Sequence, residues 1–253
     1  MVLQVQSVSK RFGGYLALDD VSCEIAENRI HALIGPNGAG KTTLFNVVSG
    51  MLQPTGGQVL FQGRDYTGSR PDLVSAMGIA RNFQQVRLFP GLSVIENIAI
   101  GCHAPSGGNC WDTLLRLGFF ERRAERAARA KATELMGFVG IKLKSDELPS
   151  ELTLVDQRRL EIARALASTP RLLLLDEPAA GMNPSEVAEL GQLIRRIRLS
   201  GVTILLVEHN MRLVMKVADR ITVLSAGRVI ADGAPADIRQ DEAVISAYLG
   251  STS

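Results

Sequence analysis

The segment Gly35–Thr42, GPNGAGKT, fits G-x-x-x-x-G-K-[ST], the spacing of a phosphate-binding loop. Gly35, Gly38 and Gly40 let main-chain N–H groups come close to an anion. Lys41 adds a point charge suited to β- and γ-phosphates, and Thr42 offers a hydroxyl to Mg²⁺. The run before the loop, Ile30–Ile34, is apolar and strand-like, and the run after it, Thr43–Val48, has no helix breaker. A loop between strand and helix aims N–H groups at an anion from the positive end of the helix dipole. A glycine-rich turn could fit the pattern by chance, but strand and helix on either side weigh against it. The candidate nucleotide-binding residues are Gly35, Pro36, Asn37, Gly38, Ala39, Gly40, Lys41, Thr42 and Thr43.

RLLLLDEP, Arg171–Pro178, ends an apolar run in two adjacent carboxylates. A phosphate-loop site needs one carboxylate at a strand end to hold Mg²⁺ and a group to polarise the attacking water. Asp176 suits the first task and Glu177 the second. The same residue types also make a strand-ending turn, and the nearby loop tips the balance towards catalysis. Another apolar run, Thr203–Val207, ends in Glu208 and His209. A lone histidine is usually structural, yet at a strand end it can hydrogen-bond a γ-phosphate and hold the carboxylate and water in line. Gln84, in ARNFQQ, can touch Mg²⁺ from a connector and sense the γ-phosphate. The candidate catalytic set is Lys41, Gln84, Glu177 and His209, and the candidate metal set is Thr42, Gln84 and Asp176.

These groups need a scaffold, and 253 residues are enough for one large domain or a main domain with a subdomain. Val2–Val8 and Val21–Ile25 alternate like strands, and Val59–Phe61 is short and apolar, which suggests a β-rich layer beside the site. Ser93 to about Val139 is helical, broken once at Pro105, Ser106, Gly107 and Gly108. Within it, ERRAERAARAK at Glu121–Lys131 reads as a solvated helix face laced with i, i+4 charge pairs. The next helix runs from Gln157 to Ala167. Strands at Leu172–Leu175, Val202–Val207 and Ile221–Leu224 then alternate with helices at Pro184–Leu199 and Asn210–Val217, and Asp241–Tyr248 forms a last helix. Wholly apolar strands between helices imply a parallel sheet covered on both faces.

A net charge of +2 is too small to argue for nucleic acid or an anionic membrane surface. No apolar run reaches membrane-span length and no signal segment is visible, so the chain is expected to be made and kept in the cytosol. Cys23, Cys102 and Cys110 are expected to be reduced thiols. Cys102, His103 and Cys110 lack a fourth ligand for a metal site.

Taken together, the residues resemble an ATP-binding cassette (ABC) ATPase over almost the whole chain. The order carries the likeness: Phe12 in KRFGG, the phosphate loop, Gln84, the helix near Gln157, Asp176 with Glu177, AAGMNP at Ala179–Pro184, then His209. The resemblance implies an α/β fold of the P-loop NTPase, ABC type. A mixed or parallel core sheet with flanking helices would be joined by an antiparallel β subdomain and a helical subdomain. It divides one ATPase domain, 1–253, into a nucleotide-binding core (about 1–92 and 168–235), a helical subdomain (about 93–167) and a C-terminal helix (about 236–253). It also implies ATP and Mg²⁺ as cofactors, with the adenine stacked on Phe12 or, alternatively, Tyr15.

More narrowly, the chain resembles the ATP-binding subunit of branched-chain amino acid importers. RNFQQVRLFPGLSVIENI, the helical insertion Gly101–Gly140 and the ending AYLG at Ala247–Gly250 carry this. Urea importers and the lipopolysaccharide-export ATPase share parts of the pattern. The implied partners are a second ATPase subunit in a head-to-tail pair, two membrane permeases and, indirectly, a solute-binding protein, at the cytoplasmic face of the membrane. Arg87, Leu88 and Phe89 are candidates for the permease contact. Soluble cassette ATPases acting on nucleic acid or ribosomes are the rival; their usual second cassette, long coiled coil or strongly basic surface is not seen. A non-hydrolysing nucleotide-binding module is a further rival, opposed by Glu177 and His209.

One segment departs from the family pattern. Where LSGGQ is usual, the chain reads LTLVD, Leu152–Asp156. In the family this segment covers the γ-phosphate on the other subunit. Thr153 keeps a hydroxyl for that role in trans, Leu154 and Val155 replace residues that let the backbone approach, and Asp156 sets an anion near anions. Either the chain donates a weakened signature, or Thr153 and the helix N-terminus suffice. The first reading predicts that the site built on this chain's own loop outpaces the reciprocal one.

Overall fold

The computed structural model describes residues 1–82, 88–102, 119–142 and 146–249, with the side chains of 119–124 and 249 outside that description. The chain divides into two units, Met1–Val74 with Leu174–Ser253, and Ser75–Leu173. Along the chain, β1 (Leu3–Phe12) and β2 (Tyr15–Ile25) form an antiparallel hairpin. β3 (Ile30–Ile34) leads through the glycine loop to α1 (Lys41–Val48). β4 (Gly56–Phe61), β5 (Arg64–Asp65), α2 (Pro71–Ala76) and β6 (Ile79–Arg81) follow. Next come α3 (Val94–Gly101), α4 (Phe119–Val139), a 3₁₀ turn at Pro149–Glu151 and α5 (Leu154–Ala167). β7 (Leu172–Asp176), α6 (Pro184–Leu199), β8 (Thr203–Val207), α7 (Met211–Val217) and β9 (Arg220–Ser225) alternate. β10 (Arg228–Gly233), α8 (Pro235–Ile238) and α9 (Glu242–Leu249) finish the described chain.

In the first unit, one antiparallel sheet has the order β2-β1-β4-β5. Its hairpin turns through Gly13 and Gly14, which pairs Phe12 with Tyr15 and puts both rings at the tip. A second sheet runs β10-β9-β3-β8-β7. β3 is parallel to both β8 and β9, as apolar strands between helices lead one to expect. Every residue of β3, β7 and β8 is buried, so both faces are covered. β10 is an addition to the sequence reading: it pairs antiparallel with β9 through a turn in which Ala226 and Gly227 both have positive φ, 47° and 78°. The Glu177 N–H donates to the Val207 carbonyl at 2.9 Å, so β7 and β8 end side by side. That shared edge is where the acidic and histidine side chains emerge.

In the second unit, α3, α4 and α5 pack together. Ser93 and Glu96 form a capping box that starts α3. Asn97 is fully buried and holds the preceding loop: its Oδ1 accepts the Phe89 N–H at 2.9 Å, and its Nδ2 donates to the carbonyls of Phe89, Leu92 and Ser93. Gly101 gives α3 its close approach to α5, since a Cβ there would sit 2.1 Å from the Arg164 carbonyl oxygen. Lys131 of α4 donates to the Ala167 carbonyl at the end of α5, at 2.9 Å. Apart from Ala128 and the half-buried Lys131, residues 125–131 of α4 are exposed, which agrees with a solvated charged face. The expected break at Pro105–Gly108 lies outside the described residues.

His31 is a polar residue buried inside β3. Its Nε2 lies 2.7 Å from the Thr222 hydroxyl, which itself donates to the Asp232 carboxylate. A carboxylate only accepts, so the Thr222 proton goes to Asp232 and His31 must donate from Nε2. Burial pushes the His31 imidazole down to about 4, with Asp232 opposing and Arg220 reinforcing that shift. The folded chain thus holds it neutral where the unfolded chain, near 6.5, takes up a proton. Stability present above about 6.5 is lost as pH falls towards 4. Urea unfolding of His31→Gln should show a flatter pH dependence across that window than the parent chain; parallel curves would contradict this.

Candidate active site

The loop between β3 and α1 owes its path to backbone packing. Gly35, Gly38 and Gly40 have φ of 149°, 78° and 101°, values that L side chains rarely adopt. A Cβ at Gly35 would lie 2.1 Å from the Leu224 carbonyl oxygen, and one at Gly40 2.6 Å from that of Ala17. Gly38 faces open space, so there the requirement is conformational. α1 has no side-chain cap and no acidic residue in its first turn. Its first N–H groups are therefore left for an anion. Lys41 is buried and turns back on the loop, donating to the carbonyls of Gly35 at 2.7 Å and Pro36 at 2.9 Å. Burial lowers its pKa, and the attraction of Glu177 works against that.

Glu177, the residue after β7, adopts the left-handed conformation with φ 47°. Such a conformation in a non-glycine residue costs roughly 1–3 kcal/mol and needs the surroundings to impose it. Here its N–H is fixed by Val207 and its Oε1 lies 2.9 Å from His209 Nε2. The pair is accessible, with the side chains 22% (Glu177) and 45% (His209) exposed. Asp176, by contrast, is 4% exposed and is not among the side chains lining the cavity described below.

Glu208 is the residue that sequence reasoning passed over. It is buried, with Oε1 accepting the Ala179 N–H at 2.7 Å and Oε2 accepting the N–H groups of His209 at 3.0 Å and Asn210 at 3.1 Å. Burial raises its pKa, opposed by those three N–H groups, while the Glu177 charge adds to the rise. The carboxylate ties the turn after Glu177 to the backbone that carries His209. Its position at a strand end was a signal, but the Ala179 contact spans 29 residues and exists only in the fold.

The loop and the acid–histidine pair meet at one cavity of about 320 Å³. Residues 37–43, Phe12, Tyr15, Glu177 and His209 line it. Phe12 and Tyr15 are 48% and 60% exposed, and the Lys10 ammonium lies 5.2 Å from the Phe12 ring centre. Of the residues expected here, Gln84 and Arg87 lie outside the described residues, as do His103 and Cys110. Among the described residues no cluster of three His, Cys, Asp or Glu side chains could hold a metal by itself, and Cys23 and Cys102 are free thiols. Burial pushes the Cys23 thiol up to about 12, with Asp232 and Glu24 adding to the rise.

Thr153 belongs to the second unit. The helix that sequence periodicity starts at Gln157 begins at Leu154, because Thr153 caps it. Its Oγ1 accepts the Asp156 N–H at 3.2 Å and donates to the Asp156 carboxylate at 3.0 Å. Asp156 in turn meets Arg159 at 3.4 Å.

A family model described as "ABC transporter" matches residues 18–180, and one described as "Branched-chain amino acid ATP-binding cassette transporter" matches residues 228–252. The chain is 44% identical to the high-affinity branched-chain amino acid transport ATP-binding protein LivG of Salmonella typhimurium, over 98% of both chains. It is 41% identical to BraF of Pseudomonas aeruginosa over the same share. A crystal structure of a nucleotide-free ATP-binding cassette from an ABC transporter superposes with a TM-score of 0.85 at 29% identity, covering 98% of each chain. One in its ADP conformation gives 0.84 at 30%, with equal coverage.

The Glu208 contacts make a prediction. Glu208→Gln replaces one acceptor oxygen by an N–H₂ group facing main-chain donors, so His209 should shift. Turnover of MgATP in the assembled complex should fall by roughly tenfold or more, with nucleotide affinity nearly unchanged. Unaltered turnover would contradict the positioning role.

Proposed function

Because this chain belongs to the ABC family of transporter ATPases, we propose that it is the ATP-hydrolysing subunit of a branched-chain amino acid importer. The observation that carries this reading is the joining, in one cavity, of an uncapped helix N-terminus with Lys41 and the Glu177–His209 pair. The curated relatives that match over nearly the full chain carry that transport role in their names.

The chemistry follows from the residues. The first N–H groups of α1 receive the phosphates, and Lys41 exchanges the Gly35 and Pro36 carbonyls for phosphate oxygens. Phe12 or Tyr15 offers a face to the adenine. Glu177 orients and polarises a water in line with the γ-phosphate, and His209 fixes the carboxylate that does so. The Thr42 hydroxyl and the Asp176 carboxylate are hard oxygen donors that fit Mg²⁺, which would neutralise charge developing on the phosphates. Gln84 is assigned to the same ion from sequence.

The partners we propose are a second ATPase subunit, two membrane permeases and a solute-binding protein beyond them. Among the described residues no helix is long and apolar enough to cross a membrane, so attachment at the cytoplasmic face would come through the permeases. The loop held by Asn97 exposes Phe89, whose ring meets the Arg164 guanidinium at 5.8 Å, and supplies a firm surface for such a contact.

The second ATPase would differ from this one. Thr153 commits its hydroxyl proton to Asp156, and Leu154 and Val155 keep side chains where close backbone approach to a phosphate is wanted. We assign this chain a weak signature in trans and a competent catalytic half on its own loop. In the reconstituted complex, Glu177→Gln should remove about nine-tenths or more of ATP turnover. The matching change in the partner ATPase should leave a clearly larger residue of activity. Equal loss from the two changes would sink the asymmetry, and absence of ATP-dependent leucine uptake into vesicles holding the complex would sink the transport reading.

A further inference from the structure

The turn between β9 and β10 sits behind the phosphate loop. The Gly227 N–H donates to the Ala39 carbonyl at 3.1 Å, and the Gly227 carbonyl accepts the Asp19 N–H of β2 at 2.9 Å. One residue thus joins the loop to the strand hairpin that carries Phe12 and Tyr15. The next residue, Arg228, forms an ion pair with the Asp19 carboxylate. The turn has little slack: Gly227 has φ 78°, and a Cβ there would lie 2.9 Å from the Ala17 carbonyl oxygen. Its Cα lies 3.6 Å from where a Gly40 Cβ would be.

The bond to Ala39 sets the orientation of a peptide. The Ala39–Gly40 peptide is trans, so its N–H points opposite to its carbonyl. With that carbonyl turned to Gly227, the Gly40 N–H faces away from the turn, and Gly40 is among the residues lining the cavity. A donor on the carbonyl also polarises the peptide and strengthens its N–H as a donor. Lys41 must release the Gly35 and Pro36 carbonyls to reach a phosphate. The Gly227 bond involves main chain alone and is compatible with bound nucleotide. Gly227 is not among the residues lining the cavity.

We propose that Gly227 is a positioning residue for phosphate binding: its N–H fixes the Ala39–Gly40 peptide so that the Gly40 N–H is presented to the phosphates. This rests on the nucleotide-binding reading above. Gly227 touches no substrate and acts through Ala39. The coupling is reciprocal: a phosphate on the Gly40 N–H strengthens the bond that Gly227 makes to the Ala39 carbonyl.

The test compares Gly227→Ala with Gly201→Ala in the full chain. The first sets a side chain against the Ala17 carbonyl at a strained φ, so the turn must lift from the loop. The second imposes similar strain, at φ 96°, but in open space. Gly201 precedes β8, which is parallel to β3, so it lies at the end of the sheet away from the loop. In calorimetric titration with MgATP, Gly227→Ala should weaken Kd about fivefold to tenfold, the factor of one net hydrogen bond, and Gly201→Ala by less than about twofold. In the parent chain, amide exchange at Gly227, read by NMR, should slow about threefold or more on saturation with MgATP. That second measurement decides the matter if Gly227→Ala does not fold. Unchanged affinity in Gly227→Ala, equal loss in both variants, or exchange at Gly227 indifferent to bound MgATP would each overturn the proposal. Failure of the parent chain to bind MgATP would instead overturn the nucleotide-binding reading on which it rests.

Discussion

A main chain can grip phosphate only if nothing stands between its N–H groups and the oxygens. In this molecule that condition is met by wedging the loop 35–40 against two other backbones. The carbonyl of Leu224 lies where a Gly35 side chain would be, and the carbonyl of Ala17 where a Gly40 side chain would be. β9 and β2 therefore set the course of the loop, and α1 begins where that course ends. The buried strands serve this geometry. β3 delivers the loop, β7 and β8 deliver Glu177 and His209 at one edge, and the hairpin tip brings two aromatic rings to the same cavity.

Charge placement follows the same plan. Lys41 is partly desolvated and rests on carbonyl oxygens, neutral acceptors that it can give up for stronger anionic ones. Glu177 lies near enough to stabilise the ammonium but keeps its own hydrogen bond to His209. Glu208 is further from solvent and holds only backbone N–H groups, so the two neighbouring carboxylates separate into an outer, accessible group and an inner, structural one. Burial and the partners each one meets give two like residues different work.

Much of this was legible because it depends on local sequence. The phosphate loop, the apolar strands and the carboxylates that end them are short-range patterns, and the cavity unites Phe12, Glu177 and His209 with the loop as those patterns suggested. What escaped depends on contacts between distant segments or on unusual local choices. Glu208 gains its meaning from Ala179. The β9–β10 hairpin uses Ala226 and Gly227 at positive φ, where Asn-Gly would have signalled the turn. α5 starts three residues earlier than its apolar periodicity, because Thr153 and Asp156 satisfy its first N–H groups. His31, a polar residue in an apolar strand, makes sense only beside Thr222, which lies 191 residues away in sequence.

The central claim is that main-chain amides of residues 37–43 hold the triphosphate. Hydrogen exchange of the peptide spanning that segment, with and without MgATP, reads those amides directly. The account predicts that their exchange slows markedly on adding nucleotide, and that Lys41→Ala abolishes the slowing. Exchange that is the same with and without MgATP, under conditions where the nucleotide is bound, would contradict it.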